Sequence, residues 1–326
     1  MFKYLITVTP LGLMYGSAGA FLSPENLVGR SGAKFPPDAA TLSGLFFSAN
    51  YNSADHNSAS RDRLKHNLIV SGPFWAKHDT PDNFYVPIPW HRVMGKKKRD
   101  EWRIENRHWE RKDDDVKPDY RWQTIDSWDR SPDIAEVAEN PWKYVSFLHP
   151  KLRADERCVE DEDGLFLENA VQLDDDCCLV YLATEALPDG WYRLGGEGHM
   201  VEISSQEIKP KDSIYELLNR KIDRAFALIT PGVWGSKALS YRYPRHPDFP
   251  REGMKLLTDK AVPYRYRAKQ KLGRGRYAVP AGSVYVLKKP IERTWWEFPE
   301  EWFPKEGFSL KHLGCGLCLP VKIEGV

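Results

Sequence analysis

Cysteine is scarce in this chain. Five residues in 326 is an odd number with no framework spacing, which excludes a fully paired disulfide scaffold and favours a reducing compartment. Long apolar runs are missing too, and no stretch approaches the roughly 20 apolar residues of a membrane span. The opening MFKYLITVTPLGLMYGSAGA imitates a signal peptide, but Thr7, Thr9 and Pro10 interrupt it, and Tyr4, Ile6 and Val8 alternate with period two. That is a strand pattern, so a cytoplasmic protein is expected. There is no bulk charge to read: the net +1 is the difference between 47 basic and 46 acidic side chains, and only their distribution can inform.

Catalytic signatures are equally absent, with no G-x-S-x-G, Walker loop or HExxH. Metal-free RNA cleavage needs a placed base; His66, His199 and His246 are available, but nothing in their local sequence singles one out. Cys315-Gly-Leu-Cys318 is a lone CxxC, with no second pair to complete a four-ligand zinc site. It runs into a proline-terminated strand, where a thioredoxin-type motif would open a helix. Cys177 and Cys178 are adjacent, so their side chains diverge on a strand. The acidic stretch 155–176 lacks the EF-hand glycine and terminal Glu, and reads as a solvated or partner-facing loop. No catalytic residue, metal or cofactor is expected.

What is present is aromatic. Twelve Trp, fifteen Tyr and fourteen Phe compensate for a 41% apolar content and allow a packed core. A strand at about Tyr4 to Val8 is followed by Pro36, Pro37 and a helix from about Asp38 to Ala49. Its Leu42, Leu45 and Phe46 form an i, i+3, i+4 stripe. NLIVSGPFW and NFYVPIPW read as strands separated by the turn HDTPDN. Strand, helix, strand, strand matches the first half of a β-α-β-β-α-β ferredoxin-like unit. From Trp90 to about Trp142 a charged, Trp-rich segment reads as an insertion, a hairpin or extended arm, in which Glu101 and Glu105 could share a helical face. Strands at CCLVYLAT and HMVEISS close the first half. The second half offers a helix and strand in DSIYELLNRKIDRAFALITP, a strand pair in YAVPAGSVYVLKK, and a glycine-rich loop before the last strand.

The segment YRYRAKQKLGRGR, 264–276, carries six Lys or Arg, no acid, two Tyr and two Gly. Cations neutralise phosphates, tyrosine rings stack on bases, and glycines admit backbone N–H groups to an oxyanion. A solvated basic loop looks similar; the interleaved aromatics and the lack of any acid favour nucleic acid. A second basic cluster, His91 to Lys112, is diluted by Asp100, Glu101, Glu105 and Glu110, and fits a salt-bridged arm, RNA contact or protein docking.

Five motifs in collinear order resemble a known family. These are FPPDAATLSG (Pro36, Pro37, Thr41, Gly44), Asp163-Gly-Leu-Phe-Leu-Glu168, Gly195-Gly-Glu-Gly198, VPAGSVYVL and LGCGLCLP. Together they resemble the third Cmr subunit of type III-B CRISPR effectors, a RAMP-superfamily protein similar to the Cas-five-type proteins. Two places depart from that pattern. The loop after the first strand is MYGSAGAF where the family commonly has an Arg-Asp-Gly-Arg-like loop, and His199 stands where an Arg tends to follow G-G-E-G.

The resemblance implies an α+β protein of two ferredoxin-like (RRM-like) RAMP domains, 1–205 with the insertion at about 90–142, and 206–326 with the glycine-rich loop. It implies a non-catalytic subunit that binds the 5′ tag of the guide crRNA and docks the large polymerase/cyclase-type Cas subunit beside the backbone RAMP subunits. With the reading of the residues, it nominates Arg265, Arg267, Lys269, Lys271, Arg274 and Arg276, the glycines Gly195, Gly196, Gly198, Gly314 and Gly316, and Thr41 and His199 as RNA contacts. The alternative is a RAMP-type, metal-independent endoribonuclease that processes precursor guide RNA.

Overall fold

The computed structural model describes residues 1–14, 35–52, 58–150, 158–159, 165–196, 198–236, 239–250, 252–268 and 271–326. The class is α+β, dominated by strands, with three α-helices among those residues. None of them is long and apolar enough to cross a membrane.

Eight strands build the larger sheet: β1 (Tyr4–Pro10), β2 (Val70–Lys77), β3 (Tyr85–Pro87), β4 (Trp122–Thr124), β5 (Val137–Ala138), β6 (Cys177–Ala183), β7 (Gly190–Leu194) and β8 (His199–Glu207). Their order is β7-β8-β1-β6-β2-β3-β4-β5, and every neighbouring pair is antiparallel. β1 therefore lies between β8 and β6, and β6 comes about a hundred residues beyond β2. The Tyr85–Pro87 strand, which chain order alone offers for that place, lies on the far side of β2.

Period-two alternation gives this sheet two apolar faces. Leu5, Phe74, Ala76, Cys178, Val180 and Leu182 point into a core shared with the C-terminal half. Ile6, Val8, Trp75, Leu179, Tyr181 and Ala183 face the other way, onto α1 (Ala39–Asn52) and α2 (Ser58–Asn67). Leu42, Leu45 and Phe46 of α1 are buried there, as their spacing requires. Cys177 and Cys178 fall on opposite faces. Trp75 stacks on Tyr85 at 3.9 Å and 2°, a contact worth about 1 kcal/mol beyond area burial.

The smaller sheet consists of β9 (Ala225–Leu228), β10 (Lys255–Leu257), β11 (Val284–Val286) and β12 (Cys318–Pro320), in the order β10-β11-β9-β12, again antiparallel. Taken in chain order, β8-β1-β6-β2 and β12-β9-β11-β10 are both fourth-first-third-second. The crossovers differ. The first sheet spends α1 and α2 between its first and second strands, and β7 precedes the fourth. In the second sheet, short helical turns at Trp295–Glu297, Glu300–Trp302 and Leu310–Leu313 precede the fourth. α3 (Ser213–Asn219) comes before β9.

Three features differ from the sequence reading. The two strands of YAVPAGSVYVLKK do not pair with each other: Arg276–Ala278 pairs with Val262–Tyr264, while β11 joins the smaller sheet. Of the two forms expected for the Trp-rich segment, a hairpin or an extended arm, the extended arm is not found. The segment forms hairpins, Arg92–Met94 with Arg99–Glu101 and Arg103–Glu105 with His108–Glu110, so Glu101 and Glu105 are strand residues and share no helical face. It also folds back on its own chain: the Trp90 amide donates to Gly282 O at 2.8 Å, the Ile104 amide to Glu324 O at 2.9 Å, and Trp128 Nε1 to Pro320 O at 2.8 Å. Finally, Trp142–Pro150 and Leu165–Leu173 pair as a nine-residue two-stranded ribbon on either side of the acidic 151–164 region, most of which lies outside the described residues.

Candidate nucleic-acid interface

Segment 264–276 forms a nested hairpin. Val262–Tyr264 pairs with Arg276–Ala278, and Arg267–Ala268 with Lys271–Leu272. Alternation decides which side chains are available. Tyr264 and Tyr266 point inward and are buried: Cys315 Sγ donates to the Tyr264 hydroxyl at 3.2 Å, and Tyr266 packs on Phe308. Burial drives the Tyr264 hydroxyl well above its ordinary pKa. Neither ring is placed to stack on a base, contrary to the sequence reading.

Arg276 is likewise withdrawn. Its side chain is 1% exposed, Nε donates to Glu306 Oε1 at 2.6 Å, and a further guanidinium N–H donates to Ser236 O at 3.2 Å. Burial and this pairing commit the cation to the protein interior, so it leaves the set of phosphate contacts. Arg265 is half-buried and donates from Nε to Gly273 O at 2.7 Å, which braces the hairpin. Arg274 is exposed. Arg267 and Lys271 occupy the hairpin's outer tier, and Lys269 lies outside the described residues. The sequence reading passed over Tyr277, a residue 62% exposed between the buried Arg276 and Ala278; strand parity was the signal that pointed to it.

A second group assembles at the β7–β8 turn. Gly195 and Gly198 have φ of +74° and +68°, a left-handed backbone that favours glycine. The Gly198 amide donates to Gly195 O at 3.3 Å. A Cβ on Gly195 would lie 3.7 Å from the Thr41 methyl, and one on Gly196 would meet open space. The structure thus brings Thr41, Gly195, Gly196, Gly198 and His199, nominated from distant motifs, to one place beside the first turn of α1. Glu197 lies outside the described residues.

The third nominated group, Gly314 and Gly316, is a correction. Both are buried. A Cβ on Gly314 would sit 2.2 Å from Ser71 Oγ, and one on Gly316 2.5 Å from the Trp234 ring. Their amides donate to Lys311 O and Pro231 O, each at 2.9 Å, and Gly314 O accepts from Thr230 Oγ1 at 2.6 Å. These glycines let the loop press against β2 and Trp234. Their N–H groups are already bonded to protein and do not face an anion.

The first turn of α1 links the remaining groups. Asp38 and Ala39 line a cleft of about 190 Å³ together with Gly72, Thr230, Pro231, Tyr264 and Cys315. One side of that turn therefore meets the glycine turn through Thr41, and the other approaches the base of the basic hairpin. Of the histidines available as bases, His66 is exposed on α2 and His246 lies 3.2 Å from Asp248. Cys315 and Cys318 are buried, Cys318 on β12. Among the described residues no three His, Cys, Asp or Glu side chains converge as a metal site would require.

The fold recurs among solved CRISPR-Cas structures. It is similar to a chain in the cryo-EM structure of the type III-B Cmr-beta bound to cognate target RNA, with a TM-score of 0.51, 11% identity, and 87% of this chain and 86% of that one covered. A second structure of that assembly, bound to cognate target RNA and AMPPnP, gives a TM-score of 0.47 at 12% identity over 86% of each chain. A chain of the Csm3–Csm4 subcomplex in the type III-A CRISPR-Cas interference complex gives 0.44 at 12% identity, over 88% of this chain and 98% of that one. Among curated proteins none matches in sequence. The family is decided by its model: residues 7–322 match CRISPR-associated protein (Cas_Cmr3), and the chain belongs to that family.

Proposed function

We propose that this chain is the non-catalytic, cytoplasmic RNA-binding subunit of a type III, Cmr-type CRISPR effector complex. In this reading it holds the 5′ tag of the guide RNA and docks the large polymerase-type Cas subunit beside the backbone RAMP subunits. Its two lobes, 1–205 and 206–326, are ferredoxin-like units whose helical crossovers are partly replaced, and 90–142 is an insertion folded onto both. The shared fourth-first-third-second strand order supports the lobes, and family membership supports the setting. The observation that carries RNA binding is the shared first turn of α1, with the glycine turn on one side and the basic hairpin on the other. Arg265, Arg267, Lys269, Lys271 and Arg274 supply the cations, Gly195, Gly196 and Gly198 the close backbone approach, and Thr41 and His199 polar contacts.

Salt titration of guide-RNA binding tests this. Replacing Arg265, Lys271 and Arg274 with Ala lowers the slope of log K against log salt by about 0.7 per lost contact on a single strand. An unchanged slope removes the assignment. Discrete cleavage of repeat RNA in EDTA, abolished by replacing one histidine, would establish the endoribonuclease reading instead.

A further inference from the structure

Residues 240–249, SYRYPRHPDF, form a groove of about 600 Å³ lined by Ser240, Tyr241, Arg242, Tyr243, Arg245, His246 and Phe249. We infer that this groove is a second binding site for single-stranded RNA, where a base stacks on the Tyr241–Arg245 pair and Arg242 meets the adjacent phosphate. The inference rests on the RNA-binding reading above and extends the path beyond the hairpin and the glycine turn.

Four observations support it. The Arg245 guanidinium lies over the Tyr241 ring at 4.1 Å, and Arg245 is an exposed residue, so the pair is open to a ligand from solvent. A planar cation held in this way is a stacking platform for a base. The groove wall contains no acid. The neighbouring carboxylate, Asp248, accepts from Arg293 at 3.2 Å, which offsets its repulsion of a phosphate. The walls are also fixed before any ligand arrives: Phe249 is buried edge-on against Tyr285 and Trp302, and the Tyr285 hydroxyl donates to Arg242 O. A preformed groove avoids ordering costs on binding. Last, the groove adjoins the basic hairpin. Ser240–Tyr241 packs beside Arg276–Ala278, next to exposed Tyr277, and Arg276 ties the hairpin to Ser236.

The test uses the full chain and a single-stranded decanucleotide carrying 5-iodouridine. Irradiation is expected to give adducts within 240–249. Y241A/R245A should weaken binding about 10-fold, in keeping with the loss of one stacked base, while Y241F stays close to wild type. R265A/R274A is measured in parallel. If that variant loses affinity while Y241A/R245A binds as wild type, with adducts only elsewhere, the groove inference falls and the RNA-binding reading stands; a groove that receives a protein gives this result. If the wild-type chain binds no RNA, both fall. Should Y241A/R245A fail a urea-unfolding check, R242A at an exposed position replaces it, with loss of affinity supporting the site and wild-type affinity overturning it.

Discussion

Arg276 and Glu306 form an ion pair at 2.6 Å, with the arginine side chain 1% and the glutamate 14% exposed. A cation that the sequence offers to a phosphate is used inside the protein to join the hairpin to the loop before β12. Removing one partner of such a pair leaves an uncompensated buried charge, at a cost of about 3–5 kcal/mol. R276A is therefore expected to lower the urea midpoint sharply, and R276A/E306A to recover part of the loss. If R276A instead leaves stability intact and reduces only the salt slope of RNA binding, the cation belongs to the interface after all.

The glycines of the last loop should behave as packing residues. Gly314 has φ +62° and Gly316 has φ +65°, and a Cβ on either would collide with Ser71 or Trp234. Strain at φ and overpacking each cost about 1–3 kcal/mol. G314A and G316A are expected to shift the unfolding midpoint with no change in salt slope. A stable variant with weakened RNA binding would contradict this.

His91 makes stability depend on pH. It is buried beside Arg92, its Nδ1 has no hydrogen-bond partner among the described residues, and burial first, then the Arg92 charge, holds its pKa down at about 3. Unfolded, the imidazole titrates near 6.5. Between those values the unfolded chain binds the extra proton, so the contribution is fully present above about pH 6.5 and is lost as pH falls toward 3. Urea midpoints measured from pH 7 to pH 4.5 should decline more steeply for the wild type than for H91Q, and parallel declines would refute the assignment.

Thiol chemistry should separate Cys158 from the others. Cys158 is exposed, while Cys177, Cys178, Cys315 and Cys318 are buried. Burial pushes the Cys177 and Cys178 thiols up to about 12 and the Cys318 thiol well above its ordinary range. Since the thiolate is the reactive form, native protein should consume one equivalent of Ellman's reagent quickly and the remainder on denaturation. Rapid reaction at the Cys315–Cys318 pair would reopen a redox role.

The elements with strong local periodicity were legible. β1, α1, β6 and β8 lie where the alternation or the 3.6-residue stripe places them. α2 was not, because among the described side chains of SASRDRLKHN only Leu64 is buried, and the segment shows no apolar stripe. For 90–142 a hairpin was one of two readings, but its division into short hairpins was hidden because three-residue strands carry too few side chains to establish a period. At the interface, composition located the basic segment, but it could not show that Tyr264, Tyr266 and Arg276 point inward while Tyr277 points out. The 240–249 groove escaped notice because its cations and rings lie among prolines and an acid that distinguish no motif.

By itself the sequence determined the protein's class, its family and the chemical character of its surface, since residue types and motif order depend on nothing beyond the chain. Tertiary structure alone decided which cations and glycines remain for a ligand. That choice turns on strand parity and on contacts between segments far apart in sequence, such as Ser71 with Gly314 and Thr41 with Gly195. Burial of a charge or an amide is a property of what packs against it, and those neighbours come from elsewhere in the fold.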